Sequence, residues 1–409
     1  MRIGIIGGGA SGMMAAITAA EHPKHQVFLF ERQSRVGKKL LATGNGRCNL
    51  TNLHLSAENY HGSAPSFAQP ALDAFGPEEA REFFYGLGLL TVSEPSGRVY
   101  PYSDQANSVV DVLRFALARS NVQLLTSCDV LSLSRDGDGF LLKTAQEGFH
   151  ADRVIVTAGG LAGTKLGGSL SGYKLLRSVG HHCTKLYPSL VQLKTEDTLV
   201  KSLKGVRAQA SVRLLCRDAV IASSEGEVQF TDYGVSGPAV FEISRAASCA
   251  GTDCTVQFDF LPGLDGDRLL SALCIRIAKQ PALTCDDLLT GLLHNRLGRV
   301  LLRYASVDGQ TALSELPWAQ LQAVCKAAHC FSLPVLGTMD MDSAQVTAGG
   351  ICTEEFDPQT LQSRLVPGLY AAGEVLDIDG DCGGYNLQWA WASGHLAGKL
   401  TGDCNAENS

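Results

Sequence analysis

Three glycines at fixed spacing lie close to the start of the chain. The segment Gly7–Gly12 has the pattern Gly-x-Gly-x-x-Gly, between an apolar run at 3–6 and an alanine-rich run at 13–20. In this pattern the first glycine permits a tight turn, the second lets a ligand approach the backbone, and the third lets a helix pack against a strand. The free N–H groups at the start of that helix attract phosphate. The pattern predicts a dinucleotide site whose pyrophosphate is bound by Gly7, Gly9, Ala10, Ser11 and Gly12.

A second apolar run, Val27–Phe30, ends in an acid. Glu31 comes 19 residues after Gly12. An acid at this spacing accepts hydrogen bonds from the ribose hydroxyls of adenosine, and it repels the additional phosphate of NADP. We therefore expect FAD or NAD at this site, with Glu31 and the adjoining Arg32 among the contacts. The alternative is a structural glycine turn that binds nothing.

A second glycine–acid element lies near the end of the chain. The apolar run 366–372 delivers Gly373 and Glu374 at its carboxyl end, where open α/β sheets bind their ligands. FAD is longer than NAD, and a distant acid such as Glu374 can bind its ribityl chain. The helix that follows can direct its N-terminus at the flavin and stabilise negative charge on the reduced ring. We expect FAD over a simple glycine-rich helix cap, with contacts from Gly373, Glu374, Gly384, Tyr385, Asn386 and Leu387. Asn386 and Gln388 are expected to form hydrogen bonds with the flavin edge.

Four segments together resemble one family. Gly7–Gly12, 37–52, Thr231–Pro238 and Gly383–Ala390 are similar to the HI0933-like flavoproteins, also labelled BaiN-like or aminoacetone-oxidase-like NAD(P)/FAD-dependent oxidoreductases. The resemblance covers essentially the whole chain, and the segments TGNGRCNLTN and GGYNLQWA are far more specific than the glycine pattern. It implies an FAD-bearing Rossmann-like domain, a β-barrel insert and a helical cap.

The resemblance also implies that the loop 37–52 approaches the flavin. Its basic residues can hold an anionic substrate or a cofactor phosphate, the alternative being a solvated basic loop. The strand around Val130 resembles the adenine-contacting segment of related flavoproteins, and the glycines that follow the apolar run 153–156 are expected at the adenosine end. The predicted contacts are Lys38, Lys39, Thr43, Gly44, Asn45, Arg47 and Asn49 in the loop, and Val130, Ala158, Gly159 and Gly160 at the adenosine end.

The order of elements predicts an α/β protein whose nucleotide domain is split in sequence. Residues 1–190 and 345–409 are expected to form the FAD-binding Rossmann-like domain. Residues 191–262 with 331–344 contain short strands without clear crossover helices, which predicts a barrel-like insert. Residues 263–330 have leucine and alanine at helical spacing and are expected to form a helical subdomain.

Composition limits the classes of partner. The chain has 409 residues and a net charge of −7, which argues weakly against bulk nucleic-acid binding, although a groove with Lys201, Lys204 and Arg207 would allow it locally. The absence of an 18-residue apolar run and of a signal peptide predicts a cytoplasmic protein with no membrane partner. None of the 13 cysteines forms a C-x-x-C pair, so reduced, mostly buried thiols and no metal site are expected.

Several side chains that could take part in chemistry are expected to have structural roles. Cys48 has no partner cysteine nearby in sequence and is expected to pack in the core. The pair His181-His182 is expected to be structural, as are Trp389 and Trp391. No side chain is assigned as a proton donor.

The resemblance implies an FAD-dependent oxidoreductase in which hydride passes through flavin N5. NADH or NADPH is the expected transient reductant, although the chain has no second Gly-x-Gly-x-x-Gly pattern. Three alternatives stay open: a flavin-dependent reductase of uridine in ribosomal RNA, a small-amine oxidase that uses oxygen, and a non-enzymatic flavin-binding module. The partner is accordingly a small-molecule substrate or a structured RNA, and the oligomeric state is open.

Overall fold

The structure is a computed structural model that describes residues 1–217 and 219–401. The chain divides into two compact units, the first formed by Met1–Tyr187 and Val346–Ser409 and the second by Pro188–Gln345. The described strands are β1 (Arg2–Ile6), β2 (Gln26–Phe30), β3 (Thr51–Asn52), β4 (Tyr60–His61), β5 (Thr91–Ser93), β6 (Arg98–Pro101), β7 (Val122–Leu125), β8 (Ser132–Asp136), β9 (Gly139–Lys143), β10 (Gly148–Ala151), β11 (Arg153–Val156), β12 (Tyr187–Ser189), β13 (Leu193–Thr195), β14 (Arg207–Cys216), β15 (Ala219–Phe230), β16 (Gly234–Ser236), β17 (Cys254–Asp259), β18 (Phe331–Thr338), β19 (Val346–Ala348), β20 (Leu369–Ala371) and β21 (Asp379–Gly380). The α-helices are α1 (Ala10–Ala19), α2 (Gln69–Ala74), α3 (Pro77–Gly86), α4 (Ala106–Arg119), α5 (Ser171–Ser178), α6 (Asp197–Val200), α7 (Pro238–Ala250), α8 (Gly266–Lys279), α9 (Asn295–Tyr304), α10 (Trp318–His329) and α11 (Tyr385–Gly398).

A parallel sheet of five strands forms the centre of the first unit. Its order is β20-β11-β1-β2-β7, and every pair in it is parallel. Ile3, Ile5 and Ile6 of β1 are buried, as expected for a strand covered on both faces. β1 pairs with β2 on one side and with β11 on the other, so the order of the strands reverses at β1. Ligands of such sheets bind at the carboxyl end of the strand where the order reverses.

Helices α1 and α11 pack closely because small residues line their contact. A Cβ on Gly394 would lie 2.4 Å from the carbonyl oxygen of Ser11, and one on Gly398 would lie 2.7 Å from that of Ala15. Helix α1, which follows Gly7–Gly9, therefore lies directly against α11, which follows Gly383 and Gly384.

The second unit contains a closed barrel with the strand order β13-β16-β15-β14-β17-β18. Its strands alternate between buried and more exposed positions, as in β14, where Ala210, Val212 and Leu214 are buried. Phe258 and Phe331 fill the core of this unit, together with apolar residues of α7 to α10.

The predicted fold class is confirmed: an α/β protein with a Rossmann-like domain split in sequence, a barrel insert and additional helices. The further division of the second unit into a barrel and a separate helical subdomain at 263–330 stays a prediction.

One pair of cysteines corrects the expectation of reduced thiols throughout. Cys216 and Cys254 form a disulfide, with their Cα atoms 4.3 Å apart. They are direct cross-strand partners in the pairing of β14 with β17. Their sequence separation is 38, so only the pairing of β14 with β17 brings the two thiols together.

The half-buried imidazole of His395 on α11 predicts a pH dependence of folding. Its Nδ1 lies 3.1 Å from Thr18 Oγ1, its ring packs 4.7 Å from that of Phe75, and burial lowers its pKa from 6.5 to about 4. Between these two pH values the unfolded chain binds the proton and the folded chain does not, so stability falls as pH falls through this window. In urea titrations at pH 7 and pH 4, we expect His395→Gln to remove on the order of 2 kcal/mol of the wild-type pH dependence. A wild type and a variant with the same pH dependence would contradict this role.

No helix of the described residues is long and apolar enough to cross a membrane.

Candidate functional site

The first glycine pattern forms the turn between β1 and α1. Gly7 has φ +112°, and a Cβ there would lie 2.5 Å from the carbonyl oxygen of Thr157. A Cβ on Gly12 would lie 1.8 Å from the carbonyl oxygen of Gly7, whereas one on Gly9 would meet no protein atom within 4 Å. Packing therefore requires Gly7 and Gly12. The open space at Gly9 is what close approach of a phosphate to the start of α1 requires.

Glu31 is held against this turn by backbone donors. Its carboxylate accepts hydrogen bonds from the N–H of Gly8 at 2.8 Å and of Gln33 at 2.6 Å. Burial raises its pKa, and the two backbone donors oppose that shift. The turn and the acid therefore form one hydrogen-bonded unit at the carboxyl ends of β1 and β2.

The residues predicted at the adenosine end lie around this unit. The N–H of Cys128 donates to the carbonyl oxygen of Glu31 at 2.9 Å, which places the segment containing Val130 beside the acid. A Cβ on Gly7 would lie 2.8 Å from Cα of Ala158. Gly159 follows with φ +72°.

The second acid lies next to the first glycine turn. Gly373 has φ +77°, and a Cβ there would lie 2.5 Å from Ser11 Oγ. Glu374 accepts a hydrogen bond from the N–H of Thr347 at 2.8 Å and forms an ion pair with Lys39 Nζ at 2.7 Å. A Cβ on Gly160 would lie 2.4 Å from Glu374 Oε1. Two elements more than 360 residues apart in sequence thus meet at the end of one sheet.

In the loop after β2, two residues adopt left-handed backbone conformations, which favour glycine and asparagine. Gly44 and Asn45 have φ of +56° and +55°, and the Thr43 hydroxyl donates to the carbonyl oxygen of Leu40 at 2.7 Å. Cys48 is fully buried, and burial raises the pKa of its thiol to about 12. The placement of Cys48 agrees with a packing role, because a protonated buried thiol is a weak nucleophile.

A buried hydrogen-bond acceptor beside the start of α11 has no partner among the described residues. Gly384, with φ +105°, precedes the helix, and a Cβ there would lie 3.0 Å from Asn49 Oδ1. Asn49 is 8% exposed, and its Oδ1 has no hydrogen-bond partner among residues 1–217 and 219–401. A buried acceptor of this kind costs free energy unless a donor reaches it. A ligand with an N–H group, such as the pyrimidine edge of a flavin, fits this position.

Three basic residues of the predicted site are directed at groups of the protein. Arg32 donates to the carbonyl oxygen of Gly167 at 2.6 Å, and Lys38 Nζ lies 3.4 Å from Gln33 Oε1. The guanidinium of Arg47 packs 3.9 Å from the centre of the Tyr100 ring and forms ion pairs that no cofactor is needed to explain. Its acidic partners are Glu94 and Asp104. Their roles toward a cofactor stay predictions.

Two amide side chains expected at the flavin edge bind protein backbone, and their contact with a flavin stays a prediction. Asn386 accepts from the N–H of Gly380 at 2.8 Å and donates to its carbonyl oxygen at 2.7 Å. Gln388 is fully buried and donates to the carbonyl oxygen of Phe75 at 2.7 Å. The local sequence places both at the helix start. The acceptor of Gln388 is 313 residues away and is not visible in it, whereas Asn386 binds Gly380, which is only six residues away. Tyr385 is buried and Leu387 half-buried on the first turn of the same helix.

The histidine pair has a structural environment. His181 is buried between Glu355 Oε2, 2.7 Å from its Nδ1, and Ser363 Oγ, 2.9 Å from its Nε2. Burial lowers the pKa of His181, so the neutral ring suits this pair of partners. His182 shares the Glu355 carboxylate at 2.6 Å.

Two residues were not predicted from the sequence. They lie beside Gly383 and Gly384, which precede α11 and are called the second glycine loop below. Asn52 Nδ2 donates to the carbonyl oxygen of Gly383 at 2.9 Å, and Arg98 lies directly across from Asn52 in the pairing of β3 with β6. The only signal for Arg98 is a basic residue at the start of the otherwise uncharged strand Arg98–Pro101.

Comparison with known proteins agrees with this geometry. The family model described as "HI0933-like protein Rossmann domain" matches residues 1–400. The chain belongs to the HI0933-like family. It is similar to the 3-dehydro-bile acid delta(4,6)-reductase of Clostridium scindens, with 44% identity over 98% of this chain and 99% of that protein. It is also similar to the ribosomal RNA dihydrouridine synthases of Escherichia coli, with 30% identity over 95% of both chains, and of Haemophilus influenzae, with 27% identity over 96% of both.

The predicted family and enzyme class are confirmed. This member of the HI0933-like family is an oxidoreductase with a Rossmann-type FAD-binding fold.

Proposed function

We propose that this protein is an FAD-dependent reductase of small molecules in which a carbon–carbon double bond is conjugated with a carbonyl group. The observation that carries the proposal is the meeting of the two glycine–acid elements, with a Cβ position on Gly373 only 2.5 Å from Ser11 Oγ. One extended ligand can contact both elements, since Glu31 follows β2 and Glu374 follows β20, on either side of β1 at the carboxyl edge of one sheet.

The chain's own residues supply binding and orientation. The start of α1 and the open face of Gly9 receive the pyrophosphate, and Glu31 binds the ribose. Glu374, oriented by Thr347 and Lys39, binds the ribityl chain, and Asn49 Oδ1 accepts an N–H from the ring. Bound FAD supplies hydride transfer at N5.

The substrate class follows from what the relatives' reactions have in common. Saturation of a delta(4,6) double bond in a 3-dehydro-bile acid and formation of dihydrouridine both reduce a double bond conjugated with a carbonyl. The relative with the steroid substrate is 44% identical to this chain, against 30% for the Escherichia coli enzyme that acts on RNA. We therefore place the substrate among small conjugated ketones.

Charge pairing on the second unit also favours a small molecule over RNA. Lys204 forms an ion pair with Asp232 at 2.7 Å, and Arg207 forms one with Glu227 at 3.4 Å. Cations already paired with acids attract phosphate weakly, and the net charge of −7 opposes a polyanion. Reduction of uridine in ribosomal RNA is the second candidate, on the similarity to the two synthases.

The electron donor in this proposal is NADH or NADPH. The chain has no second glycine pattern for a separate nicotinamide domain. The donor would therefore bind transiently at the exposed face of the flavin. The expected location of the protein and its donor is the cytoplasm.

An anaerobic reduction experiment tests the proposal. We expect the yellow holoprotein to lose its visible absorbance on addition of NADH or NADPH, and to convert a 3-oxo-Δ4,6-steroid, identified by mass, faster than a uridine-containing ribosomal RNA fragment. Conversion of the RNA alone would establish the second candidate. In a parallel assay with oxygen, rapid peroxide formation from a small amine would indicate an oxidase, and a flavin that no donor reduces would indicate a binding module.

A further inference from the structure

We propose that Arg98 binds the carbonyl oxygen of the substrate and stabilises the negative charge that this oxygen gains during reduction. The inference rests on the proposed function and adds to it the residue that recognises the conjugated carbonyl.

Arg98 lies at the second glycine loop. A Cβ on Gly383 would lie 3.3 Å from Arg98 Nε and 3.4 Å from Asn52 Nδ2. Gly383 has φ +134° and is followed by Gly384, the residue that precedes α11. Arg98 Nε thus lies beside the loop that leads into α11, and the next residue of that loop, Gly384, lies beside Asn49 Oδ1, which has no partner among the described residues.

The acid joined to Arg98 in the same hairpin is committed to another arginine. Glu94 is joined to Arg98 through the backbone, since its N–H donates to the Arg98 carbonyl oxygen at 2.8 Å. Its carboxylate nevertheless forms an ion pair with Arg47 at 3.1 Å, and Asp104 also pairs with Arg47. Arg47 therefore takes both carboxylates and Arg98 takes neither.

Arg98 is left as a half-buried cation whose side chain makes no ion pair or hydrogen bond within residues 1–217 and 219–401. A partly desolvated guanidinium is stabilised by an oxygen ligand with two acceptor positions, because its planar donors match that geometry. The α11 N-terminus already provides a positive end for the cofactor, so Arg98 remains for the substrate.

The chemistry of the step uses this charge. The carbon β to the carbonyl accepts a hydride, the pair of the carbon–carbon double bond moves to the bond beside the carbonyl carbon, and the carbonyl pair moves to the oxygen. Arg98 holds the resulting enolate oxygen. A proton from water then adds to the α-carbon and restores the carbonyl, so the substrate gains two electrons and two hydrogens. A reduced nicotinamide supplies the two electrons and the hydride.

Three holoprotein variants test the assignment. In Arg98→Gln we expect kcat/KM for the conjugated ketone to fall by about 10²–10³-fold, the usual effect of losing a donor to a developing oxyanion. Arg98→Lys should recover part of this loss, because it keeps the charge without the two-pronged geometry. Arg114→Gln is the matched control, since it removes the same charge from an exposed position that pairs with Asp111 at 3.0 Å.

A binding measurement gives a readout independent of turnover. 4-Chlorophenol is titrated into the oxidised holoproteins in alkaline buffer, where its hydroxyl is ionised, and binding is followed by the change in flavin absorbance. The phenolate oxygen then takes the place of the enolate oxygen. We expect its Kd to rise by about tenfold or more in Arg98→Gln, as for loss of one charge-assisted contact, and to be unchanged in Arg114→Gln. FAD occupancy and the rate of flavin reduction by the nicotinamide should match the wild type.

The outcomes separate this inference from the proposed function. Wild-type values of both kcat/KM and the phenol Kd in Arg98→Gln would overturn the role of Arg98, as would a slower flavin reduction with unchanged phenol binding. A wild type that reduces no conjugated ketone would refute the proposed function, while the phenol titration would still decide whether Arg98 binds an oxygen anion.

Discussion

Gly12→Ala is expected to abolish FAD binding and to destabilise the protein even without cofactor, whereas Gly9→Ala should affect FAD binding alone. A Cβ at Gly12 would lie 1.8 Å from the carbonyl oxygen of Gly7 and 2.6 Å from Thr157 Oγ1, so α1 must move away from the sheet. Overpacking of this kind costs about 1–3 kcal/mol of unfolding free energy. A Cβ at Gly9 meets no protein atom within 4 Å and occupies only the space assigned to phosphate.

The two variants are matched because each adds one methyl group to the same turn. Urea unfolding of the FAD-free proteins should show a loss for Gly12→Ala and none for Gly9→Ala. Titration with FAD should show at least about a tenfold weaker Kd for Gly9→Ala, since an ideal backbone–phosphate contact is worth more than 1.4 kcal/mol. Normal FAD affinity in Gly9→Ala would contradict the placement of the pyrophosphate.

Glu31→Ala should weaken FAD binding by about a hundredfold, which corresponds to two charge-assisted hydrogen bonds. The carboxylate holds the N–H groups of Gly8 and Gln33 at 2.8 Å and 2.6 Å, and the proposal adds the ribose hydroxyls to its partners. Its removal therefore loosens the glycine turn and removes the ribose acceptor together. Glu31→Gln keeps an acceptor without the charge and should lie between the wild type and Glu31→Ala.

Asp152→Ala is the control for the loss of an acid that binds backbone. Asp152 accepts from the N–H of Arg2 at 2.6 Å, at the opposite end of β1 from the glycine turn. Isothermal titration of FAD-free protein with FAD should give wild-type affinity for Asp152→Ala. Equal affinity in Glu31→Ala and Asp152→Ala would show that Glu31 does not contact the cofactor.

The part of the fold that local rules govern was predictable. The turn at Gly7–Gly12 and the acid at Glu31 lie within about thirty residues. The glycines, the apolar runs and the spacing that predict them are all found within that stretch. The barrel was also predictable in outline, because turn residues separate strand-like segments there. The expectation of short strands without crossover helices was wrong, since β15 has 12 residues and α7 lies between β16 and β17.

Partner choice across long sequence separations was not predictable. The disulfide of Cys216 with Cys254 depends on the register of β14 with β17. The Arg47 side chain was expected at the cofactor, but its partner Asp104 lies 57 residues away and is brought close only by the tertiary fold. Arg98 was missed for the same reason: that it forms no ion pair among the described residues becomes evident only once the position of Glu94 is known.

The central claim is that bound flavin passes its electrons to a conjugated ketone. The direct measurement is a single-turnover experiment without oxygen, in which stoichiometrically reduced holoprotein is mixed with a 3-oxo-Δ4,6-steroid and the flavin absorbance is followed. Our account predicts rapid return of the oxidised flavin spectrum, with formation of one equivalent of a steroid heavier by two hydrogens. A flavin that stays reduced with the ketone, while it is reoxidised by oxygen or by ribosomal RNA, would contradict it.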